Sequence, residues 1–339
     1  MYDSAVSLLL ALFFLTIFRI RDSNIRILFL FLPLAKPFLV ILEKVDVNKL
    51  YFESRPGTFG FRMPDPTNII DIFEKFEHGP LIFSDPNYLT LLIIIIGIVL
   101  ILIVRWISLA MFYRKLAYEE KVDRKDVPEI YDIIDRYSKK IKIKAPDVSL
   151  THKSYFSPFV VGIKNCTLVL SPRLIESLDK NEKEILIQHE LSHIKRNDNL
   201  IGWIALILKD LQFFNPFSYI AYYLIKSEQE RGSDKLVVQY SQKGQKEIAR
   251  TFLSSIMKTK ITSQSRICPE PLQSSSFSPA TMISQKRLKN RINSIINTRP
   301  NKIYSNILLK IFMWVLFLAL LLIQPIFIIK IDDMITFLR

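Results

Sequence analysis

Residues 189–193 read His189-Glu190-Leu191-Ser192-His193, an HExxH pattern set within Asp179 to Asn199, which reads as one continuous helix. Residues four apart on a helix share a face, so both imidazoles can converge on one divalent ion while Glu190 stands beside them to handle a water. Zinc suits that donor set, and a catalytic zinc keeps one position open for water, whose pKa it lowers from about 15.7 to roughly 7. Asp179 and Glu182 have the spacing of a capping box at the start of the helix, and Lys195-Arg196 suit the dipole at its end. Ile187, Leu191 and Ile194 form one stripe, with His189 and His193 on nearly the opposite face edged by Ile185 and Leu186, so both faces are expected to be buried. The plain alternative is a pair of histidines satisfied inside a core, and the rest of the chain has to decide between them.

Outward from this segment, half of the 339 residues are hydrophobic, and they are clumped into long runs. Tyr88 to Val104 and Ile307 to Ile329 each suit a hydrocarbon core that needs about 20 helical residues. Ala5 to Ile20 and Ile25 to Leu42 are shorter or interrupted by Pro33, Lys36 and Pro37, and read as a helical hairpin. Met1-Tyr2-Asp3-Ser4 lacks the basic stretch of a signal peptide, so the first run is expected to stay as an anchor. The turn after it holds Arg19, Arg21 and Arg26, whereas residues 43–87 carry 5 basic and 8 acidic residues. Of the net charge of +14, roughly +13 falls on Tyr113 to Ser305, which puts that region in the cytoplasm and both termini outside the cell membrane. The expected division is a transmembrane hairpin (1–42), an extracytoplasmic loop (43–87), a third span (88–112), a cytoplasmic domain (113–305), a fourth span (306–330) and a short extracytoplasmic tail (331–339).

So much positive charge fits this topology and contact with the anionic lipid of the bilayer, and no nucleic-acid motif accompanies it. Cys166 and Cys268 have neither disulfide-framework nor zinc-finger spacing and read as reduced, structural cysteines.

Within the cytoplasmic part, Asp126 to Ile143 reads as an amphipathic helix opened by a capping box of Asp126 and Glu129. Val148-Ser149-Leu150, Phe159-Val160-Val161-Gly162 and Thr167-Leu168-Val169-Leu170 read as three short strands. This is an α+β layout in which an edge strand can hold an extended peptide beside the metal, and Phe159, Val160, Val161 and Gly162 are the candidate edge; a plain structural strand is the alternative. Residues 200–225 read as an apolar hairpin, with Asn215 capping a helix that opens on Pro216. It either lies against the inner membrane face, dips into it, or crosses twice.

A catalytic zinc needs a third protein ligand, and Ser227 to Asp234 offers one. Glu228 and Glu230 point about 200° apart on a helix, so one of them can face the metal, whereas Glu230 and Asp234 share a face. Glu230 is the expected ligand and Glu228 a solvated surface residue. Asp234, and equally Asp198, could accept a ring N–H from a ligating histidine; a solvated helix-end charge is the alternative for each.

The runs His189 to Asp198, Phe214-Asn215-Pro216 and Glu228 to Asp234, with Ser157 to Ile163 and Val169 to Pro172 upstream and Phe277-Ser278 and Lys286 to Ile292 downstream, resemble the BlaR/MecR-type membrane metallopeptidases. The resemblance extends from about Pro146 to Ile295. It implies a multi-pass α-helical membrane protein with a cytoplasmic zincin-like (gluzincin) domain, one Zn2+ held by His189, His193 and Glu230, Glu190 as general base and Asp234 in support. Drug-sensing members carry a penicillin-binding domain after the last span, whereas this sequence has Lys330 to Arg339 there, so a beta-lactam signal is not expected.

The expected activity is cleavage of a cytoplasmic or membrane-proximal protein, such as a transcriptional repressor or an anti-sigma-like regulator, in a signalling response. An HtpX-type quality-control protease shares HExxH with a later Glu and Asp, but Asn215-Pro216 and the strands favour the first reading. A non-catalytic membrane sensor or scaffold is the rival from another class, and the intact Glu190 speaks against it. Ile261 to Met282, with Ser274-Ser275-Ser276, reads as a flexible connector and alternatively as a site of self-cleavage. The sequence leaves room for a homo-oligomer.

Overall fold

A computed structural model describes residues 2–36, 38, 86–118, 121–151, 158–241, 243–264, 280–298 and 311–321. The loop expected at 43–87 apart from its last two residues, the tail 331–339, Cys268, Phe277-Ser278 and all but the ends of the connector 261–282 lie outside the described residues. The chain divides into two compact units, Met1–Leu34 with Ala110–Arg339, and Ala35–Leu109. Described residues of the second unit belong chiefly to helix α3 (Pro86–Tyr118). Over Ile96–Lys115, α3 is the one helix among the described residues long and apolar enough to cross a membrane; its mean hydropathy there is 2.3 and none of that window is buried.

The first unit opens with α1 (Tyr2–Ile17) and α2 (Ser23–Leu30), the latter capped by Asp22, whose carboxylate accepts the Asn24 N–H at 2.8 Å. The run Ile25 to Leu42 is not one uninterrupted helix. It turns at Phe31, because Pro33 has no N–H to continue the ladder.

Next comes α4 (Pro128–Ile141), and the capping box expected from Asp126 and Glu129 does not form: the N-cap is Val127, at φ −136°, without a side-chain cap. The reason is Pro128. A residue before proline is kept out of the helical region, so Val127 cannot be a helical residue and the start moves past Asp126. Strands β1 (Asp147–Leu150), β2 (Phe159–Val161) and β3 (Thr167–Leu170) form a sheet in the order β1-β3-β2, with β1 parallel and β2 antiparallel to β3. The outer side of β1 is met by a bridge from Lys121 to Ser149, which leaves β2 as the edge among the described residues. Gly162, expected in that strand, lies past its end in a turn at φ +98°, where a Cβ would come within 2.2 Å of the Asn165 carbonyl oxygen.

After α5 (Pro172–Ser177) comes α6 (Lys180–Lys195), whose capping box is present as expected: Asp179 accepts the Glu182 N–H at 2.8 Å and Glu182 accepts the Asp179 N–H at 2.9 Å. This helix does not run to Asn199. Asn197 adopts the left-handed conformation, at φ 55°, and α7 (Asp198–Leu211) sets off from there; asparagine tolerates that conformation better than most residues. Asn215 caps α8 (Pro216–Tyr240), followed by α9 (Gln245–Gln264), α10 (Ala280–Ile296) and α11 (Ile311–Leu321).

Helix α6 is shared between two cores. Ile187 and Leu191 pack with Ile134, Tyr137, Val148 and Leu168 on one side, and Ile185 with Val237, Ile248, Phe252 and Ile295 on the other. Each such side chain, fully removed from water, contributes about 1.5–3 kcal/mol. A third core joins α1, α2, α7, α8 and α11 through Leu8, Phe29, Ala205, Ala221, Ile225 and Phe317. The α7–α8 hairpin lies along α1 and α2, tied at its tip by Asn215 Nδ2 to Ser4 Oγ (2.7 Å) and Gln212 Nε2 to the Leu34 carbonyl (2.6 Å). The outside of this bundle is apolar as well: Leu9, Phe13, Ile204, Phe214, Ile220 and Val315 are exposed.

Candidate metal centre

The two Nε2 atoms of His189 and His193 approach to 3.3 Å from one face of α6. Glu230 of α8 meets them, with its carboxylate oxygens 3.4 Å from His189 Nε2 and 3.8 Å from His193 Nε2. All three donors lie within 4.8 Å of one another. His189 is buried, while Glu230 keeps 40 % of its side chain exposed, so the cluster opens on the Glu230 side.

Each imidazole is backed at its other nitrogen by a buried carboxylate. Asp198 Oδ2 stands 2.8 Å from His193 Nδ1, and Asp234 Oδ1 stands 3.1 Å from His189 Nδ1. The break at Asn197 makes the first of these pairs: on an unbroken helix Asp198 would sit five residues past His193, about 140° away around the axis. Asp198 is further held by Arg196 Nε at 3.1 Å and by Ser233 Oγ at 3.3 Å, and its carbonyl accepts from Gln229 Nε2 at 2.8 Å. Neither aspartate is a solvated helix-end charge.

Arg291, from α10, was not expected at this site. Its Nε and Nη2 donate to both oxygens of Asp234, at 3.0 and 2.8 Å, its Nη1 reaches Glu230 Oε2 at 2.9 Å, and its guanidinium lies over the Phe252 ring at 4.5 Å. The signal in the sequence was weak but present: Leu288, Arg291, Ile292 and Ile295 share one helical stripe, and an arginine on an apolar stripe needs an anion across from it.

Glu228 departs from expectation. It is 7 % exposed rather than solvated, and pairs with Arg26 Nε at 2.6 Å and Arg231 Nε at 3.3 Å. Helix α2, through Arg26, thus grips α8 on the side away from the histidines, where Arg231 and Lys235 also donate to the Arg21 carbonyl in the turn before α2.

These contacts set the protonation of the site. Burial disfavours a charged His189, but Asp234 and Glu230 outweigh it and push its pKa up to about 10. Burial pushes the Glu190 carboxyl up, against the pull of the two histidines. Loss of hydration would raise Glu230 too, yet Arg291 and the histidines hold it well below the usual carboxylate range. Asp234 is lowered by the same arginine and His189.

The candidate edge β2 lies beside α6, and part of its outer side is taken: Asn199 Nδ2 donates to the carbonyls of Val160 and Gly162, both at 2.9 Å. Phe159 packs instead against Tyr113, with ring centroids 6.4 Å apart.

Comparison with known proteins places this geometry in a family context. Residues 83–295 match the family described as BlaR1 peptidase M56. A "Protease HtpX homolog" of Salinibacter ruber is 30 % identical over 105 residues, covering 30 % of this chain and 38 % of that protein. A "Methicillin resistance mecR1 protein" of Staphylococcus aureus is 30 % identical over 82 residues, covering 24 % of this chain and 14 % of that one. A second "Protease HtpX homolog", from Bacteroides fragilis, is 24 % identical over 154 residues, which are 44 % of this chain and 46 % of the relative. The chain spans less than half the length of each of these relatives.

Proposed function

Because this chain belongs to the BlaR1 peptidase M56 family, we propose that it is a membrane-embedded zinc endopeptidase that cuts a cytoplasmic or membrane-proximal protein, such as a transcriptional repressor, in a signalling response. The reading is carried by one observation: His189, His193 and Glu230 converge within 4.8 Å, with a carboxylate behind each imidazole. That donor set fits zinc, since two imidazoles and one carboxylate leave a fourth position for water or substrate. Bound there, the metal supplies Lewis-acid polarisation of a carbonyl and a lowered water pKa.

The chain's own residues do the rest. Asp198 takes the Nδ1 hydrogen of His193 and the Asp234 carboxylate stands 3.1 Å from His189 Nδ1, so that both Nε2 atoms face Glu230, where they would hold the metal. His189, held protonated by its two carboxylate neighbours, would have to give up its second proton before Nε2 could hold a metal. Glu190 takes a proton from the attacking water and returns it to the leaving amine, and burial makes its carboxylate the stronger base for that transfer. Arg291 keeps Asp234 and Glu230 ionised and in place. An apolar outside on α1, α7, α8 and α11 supports a bilayer around this bundle, with the α7–α8 hairpin inserted and the metal residues at its inner end.

Glu190→Gln tests the reading: activity should fall by about 10²–10⁴-fold with zinc still bound, and retained proteolysis would refute it. The HtpX homologs among the relatives support a second reading, broad quality control. Protein N-termini compared between cells carrying wild type and Glu190→Gln separate the two, one or a few new termini meaning signalling and many meaning quality control.

A further inference from the structure

Asp198 of α7, behind His193, and Glu230 of α8 stand level with each other, as the bond from Gln229 Nε2 to the Asp198 carbonyl shows. One turn along each helix toward the hairpin tip, Gly202 follows Asp198 and Lys226 precedes Glu230, both at a spacing of four, so they share the faces that carry the site. Gly202 and Lys226 meet: a Cβ built on Gly202 would come within 2.7 Å of Lys226 Nζ. Glycine in a helix interior is unfavourable, and here the space it leaves goes to an ammonium group.

Lys226 is half-buried and lies within electrostatic reach of Glu230 and Asp198 but forms an ion pair with neither: Glu230 is taken by Arg291, and Asp198 meets His193 and Arg196 through Oδ2. Among the described residues its charge is partnered by the Tyr222 ring, at 5.9 Å. The other cation of the site, Arg291, is fully used by Asp234 and Glu230. A half-buried ammonium without a direct ion pair is costly unless the working complex provides one. Lys226 also faces the seam between the helices, whereas Ile220 and Tyr223 point to the exposed apolar side, which favours a peptide over a lipid headgroup as its partner.

We propose that Lys226 receives a carboxylate of the substrate, an Asp or Glu side chain close to the scissile bond, and gives the site an acidic preference. One helical turn is about 5.4 Å and an extended peptide advances about 3.3 Å per residue, which places the acid within two residues of the cut. The inference rests on the endopeptidase reading, and its test separates the two.

The full-length wild type, Lys226→Met and Lys226→Glu, in phosphatidylcholine nanodiscs with zinc, would each digest a proteome-derived peptide library, with cut sites read by mass spectrometry. Wild type should enrich Asp and Glu within two positions of the cut on the order of tenfold, as a charge-assisted hydrogen bond allows. Lys226→Met should lose that enrichment and Lys226→Glu should turn it toward Lys and Arg. Identical profiles in all three overturn the proposal, as does an effect of Lys226 that appears only when anionic lipid is added to the discs. In a second arm the same library passes over immobilised Glu190→Gln with and without Lys226→Glu. Acidic peptides retained by the first and not by the second support the subsite even if wild type cuts nothing, in which case the endopeptidase reading alone fails; charge-blind retention overturns the subsite.

Discussion

From Pro216 to Ile225, helix α8 buries Ala221, Tyr222 and Ile225 against an apolar bundle, whereas from Glu228 to Asp234 the same helix buries Glu228, Gln229, Ser233 and Asp234. The first half is held by transfer of hydrocarbon from water, which depends on volume and tolerates similar shapes. The second half is held by paired charges, each stable only while its partner is present. A continuous helix thus joins a tolerant half to a brittle one, and the brittle half carries the metal residues.

The comparison breaks most visibly at Glu228. Glu228→Ala strands Arg26 and Arg231, and unfolding in detergent should show a loss of about 3 kcal/mol, the low end for a broken buried pair because both arginines keep about a quarter of their exposure. Exchanging the charges, Arg26→Glu with Glu228→Arg, should recover part of it; a neutral Glu228→Ala would mean that α2 does not hold α8 through Arg26. Next comes Asp234→Ala, expected to weaken zinc binding by about 10–100-fold in chelator competition, since His189 loses the group that orients it and Arg291 its bidentate partner. In the apolar half, Ile225→Val should cost only about 0.5–1.5 kcal/mol and leave zinc affinity unchanged; a larger loss, or any change in zinc affinity, would remove the distinction between the halves.

The smallest effect concerns pH. Glu182 is buried where α6 begins, and although burial raises its carboxyl, Lys258, Ser254 and the Asp179 N–H hold it below its ordinary value. A depressed folded pKa gives stability that is present above the unfolded value of about 4.3 and is lost as pH falls through the folded one. Thermal midpoints measured down to about pH 3 should therefore fall less steeply in Glu182→Gln than in wild type.

The same division explains what could be read without coordinates. The capping box of Asp179 and Glu182, the strand over Val148-Ser149-Leu150, which opens one residue earlier at Asp147, the strand at 167–170, and the helix opening at Asn215-Pro216 all depend on neighbours within a few residues, and all stand where the pattern puts them to within a residue. Glu230 and Asp234 were separable from Glu228 by helical spacing alone, and it is Glu230 that meets the histidines. Glu228 was misread because its partner, Arg26, lies 202 residues upstream, and a local pattern cannot distinguish a solvated glutamate from one whose cation arrives from another helix. Arg291 was missed for the same reason, its partner Asp234 being 57 residues away. The breaks at Asn197 and Val127 were missed because single residues, an asparagine able to turn left-handed and a proline acting on its predecessor, override an otherwise helical run.

The most direct test of the metal centre is the zinc content of purified full-length protein, measured beside single-turnover cleavage for wild type, Glu190→Gln, Glu230→Gln and His193→Ala. One zinc per chain in wild type and Glu190→Gln, loss of zinc in the other two, and cleavage by wild type alone is the expected result. Full zinc occupancy without His193 or Glu230, or cleavage by Glu190→Gln, would contradict it.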